Sequence, residues 1–343
     1  MNRLTFIGSI QLNSPSTGGG VQTKNQHFLR YILSKNVDCR VFDTWKKKSV
    51  LSLIMSLIYI VRTKRSEPII LSISTRGAYY IAKILNLTHL KRRIFYWVAG
   101  GDLAIDLKNV SLKNRRVYDV FTKVVVQCNY LKRDLEELSI TNCAMVPNFK
   151  PVIFKPTIDK AIFEKIRFVY FSRVLIQKGI EEIIQAFKSL GNKNICLDIY
   201  GTLVPPYDEG YFKDFYYLNI NYKGFLDVSV EDGYKQLSEY DVLLFPTYFK
   251  GEGFPGTLLD AFIAGVPVIA SDFHANGEVL VDGYNGLLIP PKDAVALSTA
   301  MNRLISDIDL RKKLRKNTIL TAREYDVEMI LDEAFARLKI FED

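Results

Sequence analysis

The feature that most constrains this chain is an alternation. Short runs that are apolar at nearly every position alternate with amphipathic stretches of helical length. In the first 150 residues the runs are LTFIGS (4–9), CRVFDT (39–44), PIILSIS (68–74), RIFYWVA (93–99), VVVQC (124–128) and AMVPN (144–148). Between them lie segments such as VQTKNQHFLRYILSK and NYLKRDLEELS, whose apolar residues recur with helical spacing. A continuously apolar strand has both faces covered. Such strands, separated by helices, form a parallel sheet between two helical layers.

The pattern then restarts. RFVYFSR (167–173), ICLDIYG (195–201), DVLLFPT (241–247) and VPVIAS (266–271) read as strands, GIEEIIQAFKSL and GTLLDAFIAG as helices, and two helices close the chain. The intervening NFKPVIFKPTIDKAIFEKI holds two prolines and reads as a linker. A chain of 343 residues suits two cores. The expected fold class is α/β, with two doubly wound Rossmann-like domains, 1–155 and 156–326, facing across a cleft. Ligands of such sheets bind beyond the carboxyl ends of the strands. The loops to watch are therefore 10–20, 99–103, 173–178, 201–207 and 247–256.

Several classes are disfavoured. Four cysteines without a C-x-x-C pair, and three widely spaced histidines, argue against a disulfide framework or a local zinc site. MNRLTFIGSI reads as a first strand and not as a signal peptide. The longest apolar run, VLSLIMSLIYIV (50–61), is too short to span a bilayer. The expected location is the cytoplasm, with peripheral contact to the inner face of the cell membrane as an option. Charge is uneven: residues 1–150 hold 24 Lys and Arg against 9 Asp and Glu, a net of +15, leaving 22 against 28, a net of −6, for the rest. The front half thus suits an anionic partner, or is simply a solvated basic surface. Nucleic acid is disfavoured, because no nucleic-acid module is recognisable.

Four constellations carry chemistry. Gly18, Gly19 and Gly20 follow the first strand and open a helix, which suits either a phosphate-facing loop or a plain flexible turn. Arg173 at a strand end and Lys178 at the next helix start suit a diphosphate, although surface cations at this spacing are common. Gly251, Gly253 and Gly256 have the G-x-G-x-x-G spacing of a dinucleotide site. However, YFK separates them from the strand, and Glu252 would face a pyrophosphate. Glu252 in this loop and Asp260 on the following helix instead flank an anion-binding turn with two hydroxyl-gripping acids. That suits a ligand anionic in the middle and hydroxylated at both ends, as a nucleotide sugar is.

With these residues in view, the chain resembles the retaining glycosyltransferases of the GT-B fold, family 4, and among them bacterial members that build capsule, exopolysaccharide or lipopolysaccharide. EGFPGTLLD resembles the family's E-x7-E element, and FVYFSRVLIQKGIEEIIQAF its strand–Arg–x–Lys–Gly–helix unit. DIYG and YKGFL resemble its next two strand ends, and AGVPVIASD and GEVLVDGYNGLLIPP the segments after the signature. GGG, VAGGD and VPNF resemble front-half landmarks more loosely.

The resemblance implies a retaining, metal-independent sugar transfer from a nucleotide diphosphate sugar, a UDP-sugar being the expected donor, to a glycan or polyprenyl-linked acceptor. No cofactor is expected. The back domain would bind donor and the front domain acceptor, with the last helix (327–343) returning to the front. Arg173 and Lys178 would neutralise the diphosphate. Glu252 would hold sugar hydroxyls and Asp260 the ribose. Gly253, Phe254, Pro255, Gly256, Thr257, Gly201, Gly224 and Phe225 would line the donor. Gly18, Gly19, Gly20, Gly101 and Asp102 would form the acceptor and phosphate loops. Asn148 fits an interdomain hinge, and His274 and Glu278 fit a loop near the donor.

Two departures stand out. The second acid is Asp rather than Glu, and no histidine follows the fourth front strand, where Asp102 is the nearest polar candidate. An inactive glycan- or nucleotide-binding subunit is therefore the alternative, and an NAD-dependent enzyme the minor one. Asp307-Ile308-Asp309 reads as solvated surface. The run from Trp45 to Arg65 flanks an apolar helix with basic clusters. It reads either as a buried helix or as one that docks on an anionic bilayer.

Overall fold

A computed structural model describes residues 3–12, 20–45, 49–158, 165–191 and 194–341. The chain forms two compact units. The first comprises Met1–Pro151, Gly251–Phe254 and Tyr325–Asp343, and the second Val152–Lys250 and Pro255–Glu324. The junction thus falls at 151/152, four residues before the expected 155/156. Two further chain segments join the first unit.

In the first unit β1 (Arg3–Gly8), α1 (Gly20–Ser34), β2 (Asp38–Asp43), α2 (Ser49–Arg62), β3 (Ile69–Ser72), α3 (Thr75–Leu87) and β4 (Ile94–Trp97) follow in order. Then come α4 (Leu103–Leu107), α5 (Leu112–Arg115), β5 (Lys123–Val126), α6 (Asn129–Glu137) and β6 (Cys143–Met145). The sheet order is β2-β1-β3-β4-β5-β6, every pairing parallel. β3 and β4 are buried at every position, which is why they read as unbroken apolar runs.

The second unit runs β7 (Ile166–Phe171), α7 (Ile180–Leu190), β8 (Ile195–Tyr200), α8 (Glu209–Lys213), β9 (Ile220–Gly224), α9 (Glu231–Ser238) and β10 (Val242–Phe245). It continues with α10 (Gly256–Ile263), β11 (Val268–Ser271), α11 (Asn276–Val279), β12 (Gly286–Ile289), α12 (Ala294–Ser306) and α13 (Ile308–Glu324). Its sheet order is β12-β11-β10-β7-β8-β9, again all parallel. This is the six-stranded Rossmann order, with the chain reversing direction across the sheet between β7 and β10. In the first unit the reversal lies between β1 and β3. The strand patterning missed β9 and β12, the two edges of the second sheet. β9 reads INYKG, with Asn221 and Lys223 breaking the apolar run, and the four apolar residues of β12 directly follow the turn-forming DGYN.

The last helix, α14 (Val327–Arg337), belongs to the first unit. Its Ile330, Leu331 and Phe335 join the core built on Phe6, Phe28, Trp97 and Phe149. Phe28 lies at its centre, 4.6 Å from the Trp97 ring and 6.0 Å from Phe335. Tyr31 on α1 donates to Asp332 at 2.6 Å, and Lys35 pairs with the same carboxylate at 2.9 Å.

Candidate functional site

The second unit's switch point is built from backbone. After β7 the chain passes Arg173 and a single 3-10 turn, Ile176–Lys178, before α7. Gly179 has φ +81°, and a Cβ there would sit 2.3 Å from the Pro246 carbonyl oxygen at the exit of β10. Only glycine lets these two strand exits approach so closely. The exits are then laced together. The Gln177 carbonyl accepts from the Tyr248 amide at 2.8 Å and from the Thr247 hydroxyl at 3.4 Å. The next exit repeats the device: Gly201 has φ +143°, and a Cβ there would lie 1.7 Å from the Ser172 carbonyl oxygen. Gly201 N–H in turn donates to the Gly224 carbonyl at 2.8 Å. Phe225 beside it is largely exposed.

This scaffold brings the two expected cations together. Lys178 is buried and Arg173 exposed, and both lie over one ring: Nζ of Lys178 is 5.6 Å and the Arg173 guanidinium carbon 5.7 Å from the centre of Phe249. Lys178 also lies 5.1 Å from the Phe245 ring. Phe249 was not anticipated. Its only sequence signal is an aromatic four residues beyond an apolar strand, which is too common to notice. An aromatic ring attracts each of these cations.

Pro255 precedes α10, whose amino end has no side-chain cap, and Gly256 and Thr257 in its first turn are half-exposed. Such an end favours an anion. Asp260, one turn in, is buried, and its Oδ1 accepts from the Tyr234 hydroxyl at 2.9 Å. Burial and that carboxylate raise the Tyr234 pKa well above its ordinary value. Tyr234 is the second unforeseen participant.

Glu252, Gly253 and Phe254 pack within the first unit. A Cβ on Gly101 would lie 2.8 Å from the Glu252 carbonyl oxygen, and one on Gly253 would lie 3.2 Å from the Gly100 carbonyl carbon. The two glycine turns therefore pass backbone to backbone. Tyr130 donates its hydroxyl to the Glu252 carbonyl, and Asn148 donates to the Phe254 carbonyl at 3.3 Å. The side chain of Asn148 thus fixes backbone, as a structural residue does. Asp102 is exposed at the start of α4. Gly20 opens α1 with open space around it, whereas Gly18 and Gly19 lie outside the described residues.

The first unit's own switch point is closed by side chains. Asn25 on α1 donates to the Ser9 carbonyl at 3.1 Å and the Ser72 carbonyl at 3.2 Å, and accepts from the Ser72 hydroxyl at 2.7 Å. Gln22 and Gln26 tie down the loop after β1. Nearby, buried Lys24 donates to the Val98 carbonyl at 3.3 Å, and burial lowers its pKa to about 7. His27, also buried, is pushed down to about 3, first by burial and then by Lys150 and Arg30.

His274 adopts φ +50° with its ring against Phe273, and Glu278 is exposed on α11. Asp307 caps α13, accepting from the Leu310 amide at 2.8 Å, so half of the Asp-x-Asp triplet serves a helix end. Among the described residues no cluster of His, Cys, Asp and Glu is placed to hold a metal, and no helix is long and apolar enough to cross a membrane.

Residues 156–321 match the family model "Glycosyl transferases group 1". The chain carries a group 1 glycosyl transferase domain. This domain lies within the span of the second unit, where Arg173, Lys178 and Asp260 stand. Among curated proteins, the capsular polysaccharide biosynthesis glycosyltransferase CapM of Staphylococcus aureus is 30% identical over 152 residues, 43% of this chain and 39% of CapM. The N,N'-diacetylbacillosaminyl-diphospho-undecaprenol alpha-1,3-N-acetylgalactosaminyltransferase of Campylobacter jejuni is 33% identical over 102 residues, 30% of this chain and 26% of that protein. The chain thus spans well under half the length of these relatives. In fold it is similar to Anabaena HepE, crystallised with UDP, at a TM-score of 0.73 and 14% identity, covering 99% of this chain and 100% of that one. The two parallel six-stranded α/β units are those of the GT-B glycosyltransferases.

Proposed function

We propose that this protein is a retaining glycosyltransferase of bacterial surface polysaccharide synthesis. It moves a sugar from a nucleotide diphosphate donor, a UDP-sugar, to a glycan or polyprenyl-linked acceptor. The observation that carries this reading is the Arg173–Phe249–Lys178 arrangement at the second unit's switch point, beside the glycine exits at Gly179 and Gly201. Two cations at the carboxyl ends of a Rossmann sheet suit a diphosphate, whose charge grows as the glycosidic bond breaks. Stabilising that charge is usually the largest catalytic contribution. The capsule and undecaprenol relatives support the acceptor class, and the UDP complex of HepE supports the donor.

In this reading Lys178 and Arg173 bind the diphosphate. Glu252 accepts hydrogen bonds from donor hydroxyls, the uncapped start of α10 faces phosphate, and Asp260 takes the ribose. The acceptor hydroxyl attacks on the face from which the diphosphate departs. The leaving phosphate oxygen takes its proton, so neither a protein nucleophile nor a metal is required. Retention is tested by the anomeric configuration of the first-formed product, and metal independence by transfer in chelator.

One observation favours a second reading. Asp260 is engaged by Tyr234, as would suit a subunit that binds nucleotide or glycan without transfer. Thermal stabilisation by UDP, GDP, dTDP and NAD, followed by a transfer assay with UDP-sugars, separates the readings. Stabilisation by UDP with transfer is expected. UDP binding without transfer would select the inactive subunit, and a response to NAD alone would overturn both.

A further inference from the structure

α2 is amphipathic the wrong way round for a buried helix. Val50, Leu51, Ile54, Met55, Ile58 and Val61 are all exposed, each by at least 45%. At 100° per residue they fall on a single face. The opposite side carries buried Ser56, whose hydroxyl donates back to the Leu53 carbonyl, and buried Ile60. The apolar stripe thus points away from the unit to which the helix belongs. This excludes the buried-helix reading of the Trp45–Arg65 run. Lys46, Lys47 and Lys48 at its amino end lie outside the described residues.

The stripe runs into a basic cavity. A helix that connects parallel strands runs antiparallel to them, so α2 ends at the amino-terminal edge of the sheet. There, a cavity of about 730 Å³ opens beside Arg62 and Lys64, among the starts of β1 to β4. Five cations line it against two carboxylates, and both carboxylates are already engaged. Asp38 pairs with Arg3 at 2.8 Å, and buried Glu67 accepts from Thr5 and Tyr59, each at 2.8 Å. Arg40 lies over the Tyr59 ring at 4.5 Å, and Arg93 donates to the Ser66 carbonyl at 3.3 Å. The side chains of Arg62 and Lys64 make no ion pair among the described residues. Arg92 fixes this end of α2, donating to the carbonyls of Ile60 and Val61, both at 2.7 Å.

We infer that the α2 face docks on an anionic phospholipid bilayer, with the cavity beside Arg62 and Lys64 receiving a lipid phosphate headgroup. An apolar helix face continuous with a surplus of positive charge matches a membrane interface, where acyl chains meet anionic headgroups. A second copy of the chain would bring the same cations against themselves. The inference deepens the reading of a lipid-linked acceptor and rests on it for its purpose. Membrane binding, however, is measured without any donor or transfer, so the two can fail separately.

The test is sedimentation of the full chain with vesicles of phosphatidylcholine alone or with phosphatidylglycerol added, at several salt concentrations. Wild type should bind the anionic vesicles, and less so as salt rises. Ile54→Glu with Ile58→Glu should lower that binding by at least about tenfold. Arg62→Glu with Lys64→Glu should also lower it by about tenfold and flatten its salt dependence. Circular dichroism melts check the fold, and Ile54→Ser with Ile58→Ser is the milder substitute should the glutamates unfold it. Binding unchanged in both variants would overturn the proposal. So would a dimer, seen by analytical ultracentrifugation, that the Ile54 and Ile58 changes dissociate while vesicle binding persists. Inorganic phosphate is compared with chloride at matched ionic strength. Specific release of protein by phosphate would assign the cavity to a free anion instead.

Discussion

The two units share a plan and differ where the chain reverses. In the second unit the switch point between β7 and β10 is made of glycine turns and cations. Gly179 and Gly201 let backbones pass within contact, and Lys178 and Arg173 stand beside them over the Phe249 ring. In the first unit the equivalent point between β1 and β3 is bridged by Asn25, which satisfies Ser9 and Ser72 at once. A switch point binds ligand only if its strand-end groups are left for the ligand. The first unit has used its own in holding itself together, and its glycine turn after β4, at Gly100 and Gly101, packs against the backbone of Glu252 and Gly253. Doubly wound topology provides the location, and the side chains decide whether it is a site.

Four experiments would break or sharpen this contrast. The largest effect should come from Gly201→Ala, since the new Cβ would stand 1.7 Å from the Ser172 carbonyl oxygen at a φ of +143°. A loss of about 3 kcal/mol or more is expected in urea denaturation. A near-neutral result would mean that the strand exits are not held so tightly. Lys178→Ala should leave the melt close to wild type but lower sugar transfer by about a hundredfold and diminish the stabilisation given by UDP. Full transfer by this variant would remove the cation pair from the mechanism.

Asn25→Leu should have the opposite signature. It strands buried acceptors at the first switch point and should cost about 2–3 kcal/mol, while the shift produced by UDP persists. Loss of the nucleotide response would instead tie both switch points to the donor.

The smallest effect is a pH dependence in the same region. Lys24 holds a pKa of about 7 against an ordinary 10.5, because burial disfavours its charge. Between those values the unfolded chain binds the proton and the folded chain does not, so this group makes stability rise with pH. The contribution should approach about 1 kcal/mol per pH unit. Above pH 9 the thiols of half-buried Cys39 and buried Cys143, both raised to about 12, act in the opposite sense. The comparison is therefore made between pH 7 and 9. Lys24→Met should flatten the wild-type slope there; an unchanged slope would place the titration elsewhere.

The sequence made some of these features readable and hid others for physical reasons. The central strands were visible because burial on both faces demands unbroken apolar runs, and the edges β2 and β6 were visible although only partly buried. β9 was hidden because Asn221 and Lys223 interrupt its apolar residues, and β12 because its four residues directly follow the turn-forming DGYN. Arg173, Lys178, Glu252 and Asp260 were picked out by type and spacing. Phe249, Tyr234, Tyr130 and Lys24 were not, since each acts through a partner distant in the chain. Tyr234 meets Asp260 from another helix, and Lys24 meets Val98 from 74 residues away.

α2 marks the boundary most clearly. Its composition specified an apolar helix flanked by basic residues, and equally allowed a buried helix and an exposed one. Composition does not say which way a helix turns when every face has apolar residues. Packing against the β2 edge, with Ser56 and Ile60 inward and Arg92 holding its carboxyl end, turned Ile54 and Ile58 to the outside. By itself, then, the sequence determined two parallel α/β units and the residue types at the strand exits. Only the tertiary structure decided which switch point was filled and which helix face was left uncovered, because both depend on contacts between segments that the chain order keeps apart.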